Sequence, residues 1–417
     1  MDIMCSVNKE YSKHVIFEKG QKVLYVRVLQ AIYGCIESAL LWYDLYAGTL
    51  RDMGFVINPY DRCVANKDIN GKQCTITWYV DDNKLSHVDK DVVTEVLNNI
   101  SEHFGELVVS RGDEHDLLGM HIEIDRKNRR IWIDMIDQLE EALEMFGEVV
   151  DEKVVTPAYK DLMTIDMESP QLSDVKSEKF HSVVGKLLFN VKRARPDIET
   201  TISFLMRRVS KSTEQDWEKL RRCMGFIKRT INDRRCIAAD SLDTLYTWVD
   251  ASHAVHDDMR GHTGGIMSMG LGAIHCKSSR QKLNTKSTTE SELVGISEYL
   301  PYDIWLLLFM EAQGRKITLN VLFQDNESAT KMANNGRNSC TGNSRHIDIK
   351  YFWVKDMVDK RKISVIYCPT WLMLADYFTK PLQGSLFRKY RDIIMGYVHI
   401  DVILLDSRFS LKERVEE

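Results

Sequence analysis

The sequence is poor in paired cysteine motifs, in proline and in long apolar runs. Its nine cysteines, at positions 5, 35, 63, 74, 223, 236, 276, 340 and 368, include no CxxC pair. That spacing suggests neither a zinc nor a disulfide framework and points to reduced, structural thiols. No run of apolar residues approaches the length that crosses a bilayer. The start, MDIMCSVNKEYSKHV, has neither the basic region nor the apolar core of a secretory signal. A chain without a membrane partner, cytoplasmic or nuclear, is therefore expected. Prolines number only seven, and no glycine-rich phosphate loop, internal repeat or low-complexity tract is present.

What is there is the composition of a globular protein, 44% hydrophobic and 28% charged over 417 residues. That length accommodates two to three domains. The net charge of −5 hides an asymmetry. From Lys192 to Arg235 there are 13 Lys and Arg against six Asp and Glu, and KSSRQKLNTK (277–286) has four cations and no acid. Solvated helical faces are one reading. A polyanion track is the other, and two basic stretches beside candidate metal sites favour it. The residues assigned to it are Lys192, Arg193, Arg195, Arg221, Arg222, Lys277, Arg280 and Lys282.

The first 150 residues mix helical and strand patterns. SALLWYDLYAGTLRDMGF places Leu40, Tyr43, Leu50 and Met53 at near-helical spacing, and VVTEVLNNISEHFG does the same with Val93, Val96, Leu97 and Ile100. CTITWYV alternates as a half-buried strand, ending on Asp81 and Asp82, and HIEIDRKNRRIWIDM reads as a hairpin. The paired aspartates are either solvated turn residues or carboxylates held by a hairpin for divalent metal. Residues 150 to 180 read as a connection with little periodic apolar content. Two amphipathic helices follow, Ile198 to Val209 and Trp217 to Ile231, the second capped by Ser212 or Thr213. After Ala239, strands TLYTWVDAS, TGGIMSMG and AIHCK precede a long helix that Pro301 should kink or split. VLFQDNES and ISVIYCPT are further strands, and LMLADYFTKPL a terminal helix. The expected fold is α+β in the first part and mixed-sheet α/β in the last.

Four acids in this last part abut apolar segments. Asp250 follows LYTWV, Asp325 follows VLFQ, Glu292 lies on the helical line of Ile296, and Asp376 sits in LMLADYF. Each alone reads as a cap or surface charge. Burying the four together requires cations, and the set reads as a two-magnesium cluster for phosphodiester hydrolysis. Separately, His253, His256 and His262 have spacings that could ligate a metal, but their loop, HAVHDDMRGH, is rich in Asp and Arg and reads as solvated.

WVDASH, TESELV, FQDNES and LADYFTKPL, in that order, with SRHIDIKYFWVKD between the last two, resemble the ribonuclease H domain of copia-type LTR retrotransposons. AIYGCIESALLWYDL, WYVDD, DLLGMHIEI and KRARPDIETTISFL resemble blocks of the same family's reverse transcriptase. The match runs from about residue 20 to 395. The resemblance implies a partial reverse-transcriptase palm over 1–150, a linker and basic helical thumb or connection over 151–240, and an RNase H-like domain over 241–395. It leaves 396–417 as an unassigned tail. It implies Asp250, Glu292, Asp325 and Asp376 as the metal-binding acids of the RNase H, and Asp81 and Asp82 as the polymerase pair. Glu290 competes with Glu292, since the two lie about 200° apart round a helix and only one can face the cluster. It implies two Mg2+ or Mn2+ ions per site. The implied partners are an RNA–DNA hybrid, RNA template and DNA, together with further copies or other Pol products. The implied setting is a cytoplasmic virus-like particle or the nucleus. The block QAPR of the family reads ESAL here (37–40). A polymerase palm also needs a third aspartate upstream, and the only acid far enough upstream is Asp2. The polymerase part is therefore expected to be incomplete and hybrid hydrolysis the main activity. The alternatives are a silent element remnant or a nucleic-acid-binding module without chemistry.

Overall fold

The computed structural model describes residues 2–25, 27, 32, 34–336 and 348–406. Ala31, Tyr33, His346, the start of the SRHIDIKYF segment and residues 407–417 lie outside the described residues. The chain divides into two compact units, residues 1–107 and 108–417. The fold is mixed α/β, with several sheets.

In the first unit a hairpin, β1 (Val15–Glu18) and β2 (Gln21–Leu24), precedes α1 (Ile36–Asp52). A four-stranded antiparallel sheet follows, β3 (Val56–Ile57), β4 (Val64–Ile69), β5 (Lys72–Tyr79) and β6 (Asp82–Ser86), and α2 (Lys90–Phe104) closes the unit. The alternation of CTITWYV decides which side is core. Cys74, Ile76 and Trp78 are buried, facing Tyr46, Ala47 and Leu50 of α1 and Val92, Val96 and Ile100 of α2. The buried stripe of α1 sits further along than its spacing suggested, and Leu40 is exposed.

The second unit begins with β7 (Glu114–Leu117), β8 (Met120–Asp125) and β9 (Arg130–Asp134), then α3 (Ile136–Phe146). Residues 151–172 have little regular structure, yet Ala158, Leu162 and Leu172 are buried in the core. Helices α4 (Asp174–Val191), α5 (Glu199–Met206) and α6 (Glu214–Arg229) follow. Thr213 caps α6 in a reciprocal capping box with Asp216. A strand not read from the sequence, β10 (Arg235–Ala239), pairs antiparallel with β9 and joins the sheet of β7 to β9.

The last sheet is built from β11 (Thr244–Ser252), β12 (His262–Ser268), β14 (His275–Arg280), β15 (Leu319–Gln324) and β16 (Ile363–Tyr367), while the short β13 (Gly270–Leu271) pairs with β10. The order is β14-β12-β11-β15-β16, antiparallel as far as β11 and parallel beyond it. Helix α7 (Thr288–Ala312) covers it, with α8 (Glu327–Asn335) and α9 (Asp348–Arg361). Gly265 of β12 leaves room for the Tyr299 ring of α7, which an added Cβ would meet at 2.1 Å. Pro301 does not split α7. It sits on the exposed face, where the carbonyl it leaves unbonded can turn to water. Contrary to the reading of apolar runs, α7 is long and apolar enough to cross a membrane by composition. It is a core helix, with Leu293, Ile296, Tyr299 and Leu300 packed in the domain. The terminal segment is a single turn, α10 (Asp376–Thr379), then α11 (Gly384–Ile394) and α12 (Asp401–Leu404). The described part of the unassigned tail buries Ile400, Ile403 and Leu404 in the main core.

Candidate metal centre

The parallel strands β11 and β15 end side by side, with Trp248 in register with Phe323. Two residues on, Asp250 within β11 and Asp325 just past the end of β15 are therefore neighbours and meet there. The first turns of α7 bring Glu292 to the same point. One ligand oxygen from each of Asp250, Glu292 and Asp325 lies within 4.8 Å of the others, the only such group of three ligating side chains among the described residues. Asp250 and Glu292 are buried and Asp325 partly so.

Each carboxylate is aimed by a donor. Ala251 N–H donates to Glu292 Oε2 at 2.9 Å, and Gln324 Nε2 donates to the same oxygen at 3.3 Å. Thr370 Oγ1 donates to Asp325 Oδ2 at 3.1 Å, and Thr379 Oγ1 to Asp250 Oδ2. Burial, and then the charges of Asp250 and Asp325, raise Glu292 well above the carboxylate range. Burial and Asp250 also raise Asp325. Such a cluster of acidic oxygens is under electrostatic stress that a hard divalent cation relieves.

Asp376, on α10, is buried beside this group, and its pKa is pushed up to about 7 by burial and by Asp250, against the lowering effect of Lys380. Lys380 was not singled out from the sequence, although it stands four residues after Asp376. Its Nζ is 2.7 Å from Asp376 Oδ1 and 3.7 Å from Asp250 Oδ2. Burial works against the ammonium, but Asp250 and Asp376 hold its pKa above the ordinary value. Of the two rival glutamates, Glu292 faces the cluster. Glu290 turns back to accept from Lys286 N–H at 2.7 Å, next to the Ser287 cap.

Asp81 and Asp82 stand at the tip of the β5–β6 hairpin, both exposed, with Tyr79 in register with Asp82. Trp78 is core and Tyr79 surface. Val80 has φ +55°, a left-handed conformation that a β-branched residue rarely adopts. Trp42 Nε1 donates to its carbonyl at 2.6 Å. No third ligating side chain joins this pair among the described residues.

Lys192 and Lys282 are exposed, and Arg193, Arg221, Arg222, Lys277 and Arg280 are partly exposed. Arg221 pairs with Glu148 and Glu218, Arg280 with Asp258, and Arg222 lies over the Tyr159 ring at 3.6 Å. Arg195 departs from the basic-track reading. It is fully buried in a two-pronged pair with Asp197, at 2.8 and 3.0 Å, and has no donor to offer a nucleic acid. The histidine loop departs too, because His256 and His262 are buried rather than solvated. His253 Nδ1 faces Thr285 Oγ1 at 3.0 Å.

No family model matches the chain. Over 381 residues, 90% of its length, it is 25% identical to a retrovirus-related Pol polyprotein from transposon TNT 1-94 of Nicotiana tabacum, covering 28% of that protein. It is 24% identical over 375 residues, 89% of its length and 25% of the relative's, to the polyprotein from transposon RE1 of Arabidopsis thaliana. A putative transposon Ty5-1 protein of Saccharomyces cerevisiae is 24% identical over 64% of the chain and 86% of the relative. The chain thus spans about a quarter of the plant polyproteins it matches. Among solved structures, a prototype foamy virus protease-reverse transcriptase aligns with 91% of the chain and 43% of its own, at 13% identity. Its TM-score of 0.24 is too low to carry an argument. The kinship with copia-type retrotransposon Pol polyproteins inferred from the motifs holds over nine-tenths of the chain.

Proposed function

We propose that this relative of transposon Pol polyproteins hydrolyses the RNA strand of RNA–DNA hybrids at Asp250, Glu292, Asp325 and Asp376. The observation that carries the reading is the convergence of three carboxylates, from β11, from just past β15 and from α7, within 4.8 Å. Oxygen-only donors of this kind suit Mg2+ or Mn2+. Two divalent ions held there would supply Lewis acidity to the attacking water and to the leaving oxygen of a phosphodiester.

The chain's own residues do the rest. Gln324 and the Ala251 N–H fix one oxygen of Glu292, which keeps its other oxygen for a cation. Thr379 and Thr370 do the same for Asp250 and Asp325. Lys380 balances the acids and stands ready to turn towards a phosphate. Lys192, Arg193, Lys277, Arg280 and Lys282 offer cations to the hybrid's backbone. In the same reading, residues 1–150 form a partial polymerase palm, incomplete as a polymerase, whose tip carries Asp81 and Asp82 as metal ligands. The template would be RNA, and the setting a virus-like particle or nucleus.

The test is cleavage of a labelled hybrid by the purified chain. Cleavage should require Mg2+ or Mn2+, and Asp325→Asn should abolish it while hybrid binding persists. Cleavage that survives this substitution, or none from a folded preparation, overturns the reading.

A further inference from the structure

Helix α10 has four residues, one turn, too short to hold itself together. Yet it carries Asp376 and Thr379, and Lys380 follows directly. Asp376 O takes the Lys380 N–H at 2.9 Å, but the carbonyls of Tyr377 and Phe378 have no helical partners further along and are bonded from outside. Thr200 Oγ1 donates to Tyr377 O at 2.7 Å, and Ser278 Oγ donates to Phe378 O at 2.7 Å. The turn also lies hard against β12, where an added Cβ on Gly264 would be 2.7 Å from Thr379 Cγ2 and 2.9 Å from Ala375 O. Gly264 is in register with Asp250, so this packing sets the distance between α10 and the cluster.

The bond from Ser278 is the last of a chain whose protons can be placed one by one. The Ser278 hydroxyl has a single proton, given to Phe378 O. It must therefore accept from His262 Nε2, 2.7 Å away. A neutral His262 protonated at Nε2 has a bare Nδ1, which accepts from His256 Nε2 at 2.9 Å. The bare Nδ1 of His256 then accepts from Arg207 Nη1 at 2.6 Å. Both rings must be neutral for this order to hold. Burial lowers His256 to about 4 and His262 to about 3; Arg207 lowers both further and His256 lowers His262, while the nearby Phe378 carbonyl pulls His262 the other way.

Buried polar groups are usually bonded, and a network that only stabilises the core is the alternative. What distinguishes this one is its direction and its end. It starts at Arg207, just after α5, crosses the loop before β12, and stops on the carbonyl of the turn that carries three groups of the acid site. We propose that Arg207, His256, His262 and Ser278 are positioning residues that cap α10 and so hold Asp376 and Thr379 at the cluster. The inference rests on reading the cluster as a metal site. With the cap broken, Phe378 O loses the Ser278 hydroxyl, the turn frays, and Asp376 and Thr379 lose their place.

The experiment is Mn2+ binding by calorimetry on the full chain, with circular dichroism as the folding control. Ser278→Ala removes one hydroxyl and should weaken Mn2+ binding by about 10- to 100-fold, the usual range for outer partners of metal ligands. His262→Phe should act in the same direction, and His262→Gln, which keeps a donor towards Ser278, should lose less. In an Asp376→Asn background, Ser278→Ala should cause a clearly smaller further loss, because only its effect through Thr379 and Asp250 is left. Unchanged affinity in Ser278→Ala, or an equal loss with and without Asp376, overturns the inference. Binding and coupling as expected, but no hybrid cleavage, would sink the proposed hydrolysis and leave the relay standing. No Mn2+ binding by the wild-type chain would sink both.

Discussion

Lys380 offers the sharpest test of the electrostatics of the acid site. Its ammonium stands 2.7 Å from one buried carboxylate and 3.7 Å from another, so in the metal-free protein it is the cation that balances the cluster. Two unit charges about 4 Å apart interact by ~4 kcal/mol at an effective dielectric constant near 20. The lysine side chain is 42% exposed, and water screens the pair. A net contribution of ~1–2 kcal/mol is then reasonable, between exposed and buried pairs. Lys380→Met keeps the length of the side chain and removes the charge. Without divalent metal it should lower the melting temperature by roughly 2–8 °C, at ~2–4 °C per kcal/mol for domains of this order of size. With metal the sign should reverse. The variant has lost a competing cation, so the Mn2+ concentration that half-stabilises the protein should fall by about 5- to 30-fold. Thermal unfolding across a Mn2+ titration reads both effects. A variant that binds Mn2+ more weakly than wild type would refute the competition argument and make Lys380 an organiser of the ligands.

Three further outcomes follow from the geometry. Asp376 titrates near pH 7 and Glu292 is raised, so protons compete with cations below neutrality. Mn2+ affinity should drop by about tenfold per pH unit below 7 for each proton displaced, while the metal-free fold gains stability as pH falls through 7, because the folded state then binds more protons than the unfolded. A pH-independent affinity between 5.5 and 8 would contradict this. Arg195→Met leaves the buried Asp197 with only Arg391 and should cost about 3–5 kcal/mol, read as a lower urea midpoint. Weakened hybrid binding at unchanged stability would return Arg195 to the basic track. Val80→Gly removes a β-branched residue from left-handed backbone and should stabilise the first unit by about 1 kcal/mol. Tryptophan fluorescence during denaturation checks it, and a loss of stability would mean that the strain is offset by contacts of the valine.

What could be read in advance was what repeats locally. The alternation in CTITWYV set that strand's faces, and an acid immediately after an apolar strand marked Asp250 and Asp325 before any partner was known. The choice between Glu290 and Glu292 needed the helix phase, and the structure supplied it through the Ser287 cap. What was illegible depends on partners far away in sequence. β10 begins with an arginine and looked like the end of the basic segment. Its Arg235 is buried, donating to Ala273 O and, at 2.7 Å, to Arg193 O. A cation that caps carbonyls is indistinguishable, in sequence, from one that meets phosphate.

The same reason governs the basic segment as a whole. Its excess of cations suggested a polyanion track, but the tally takes no account of direction. Arg195 is spent on Asp197, Arg208 on Asp216 and Arg235 on backbone carbonyls, and all three point inwards. Arg207, also drawn from that segment, faces His256 and heads the relay to α10. Part of the positive charge is therefore spent inside the fold, and only what remains on the surface is open to a polyanion. Because Arg207 belongs at once to the basic segment and to the relay, the feature that first suggested nucleic-acid binding is physically joined to the turn that carries Asp376. That link makes the geometry of the fourth acid dependent on the packing of α5 against the sheet, and not on the strands that carry the cluster alone.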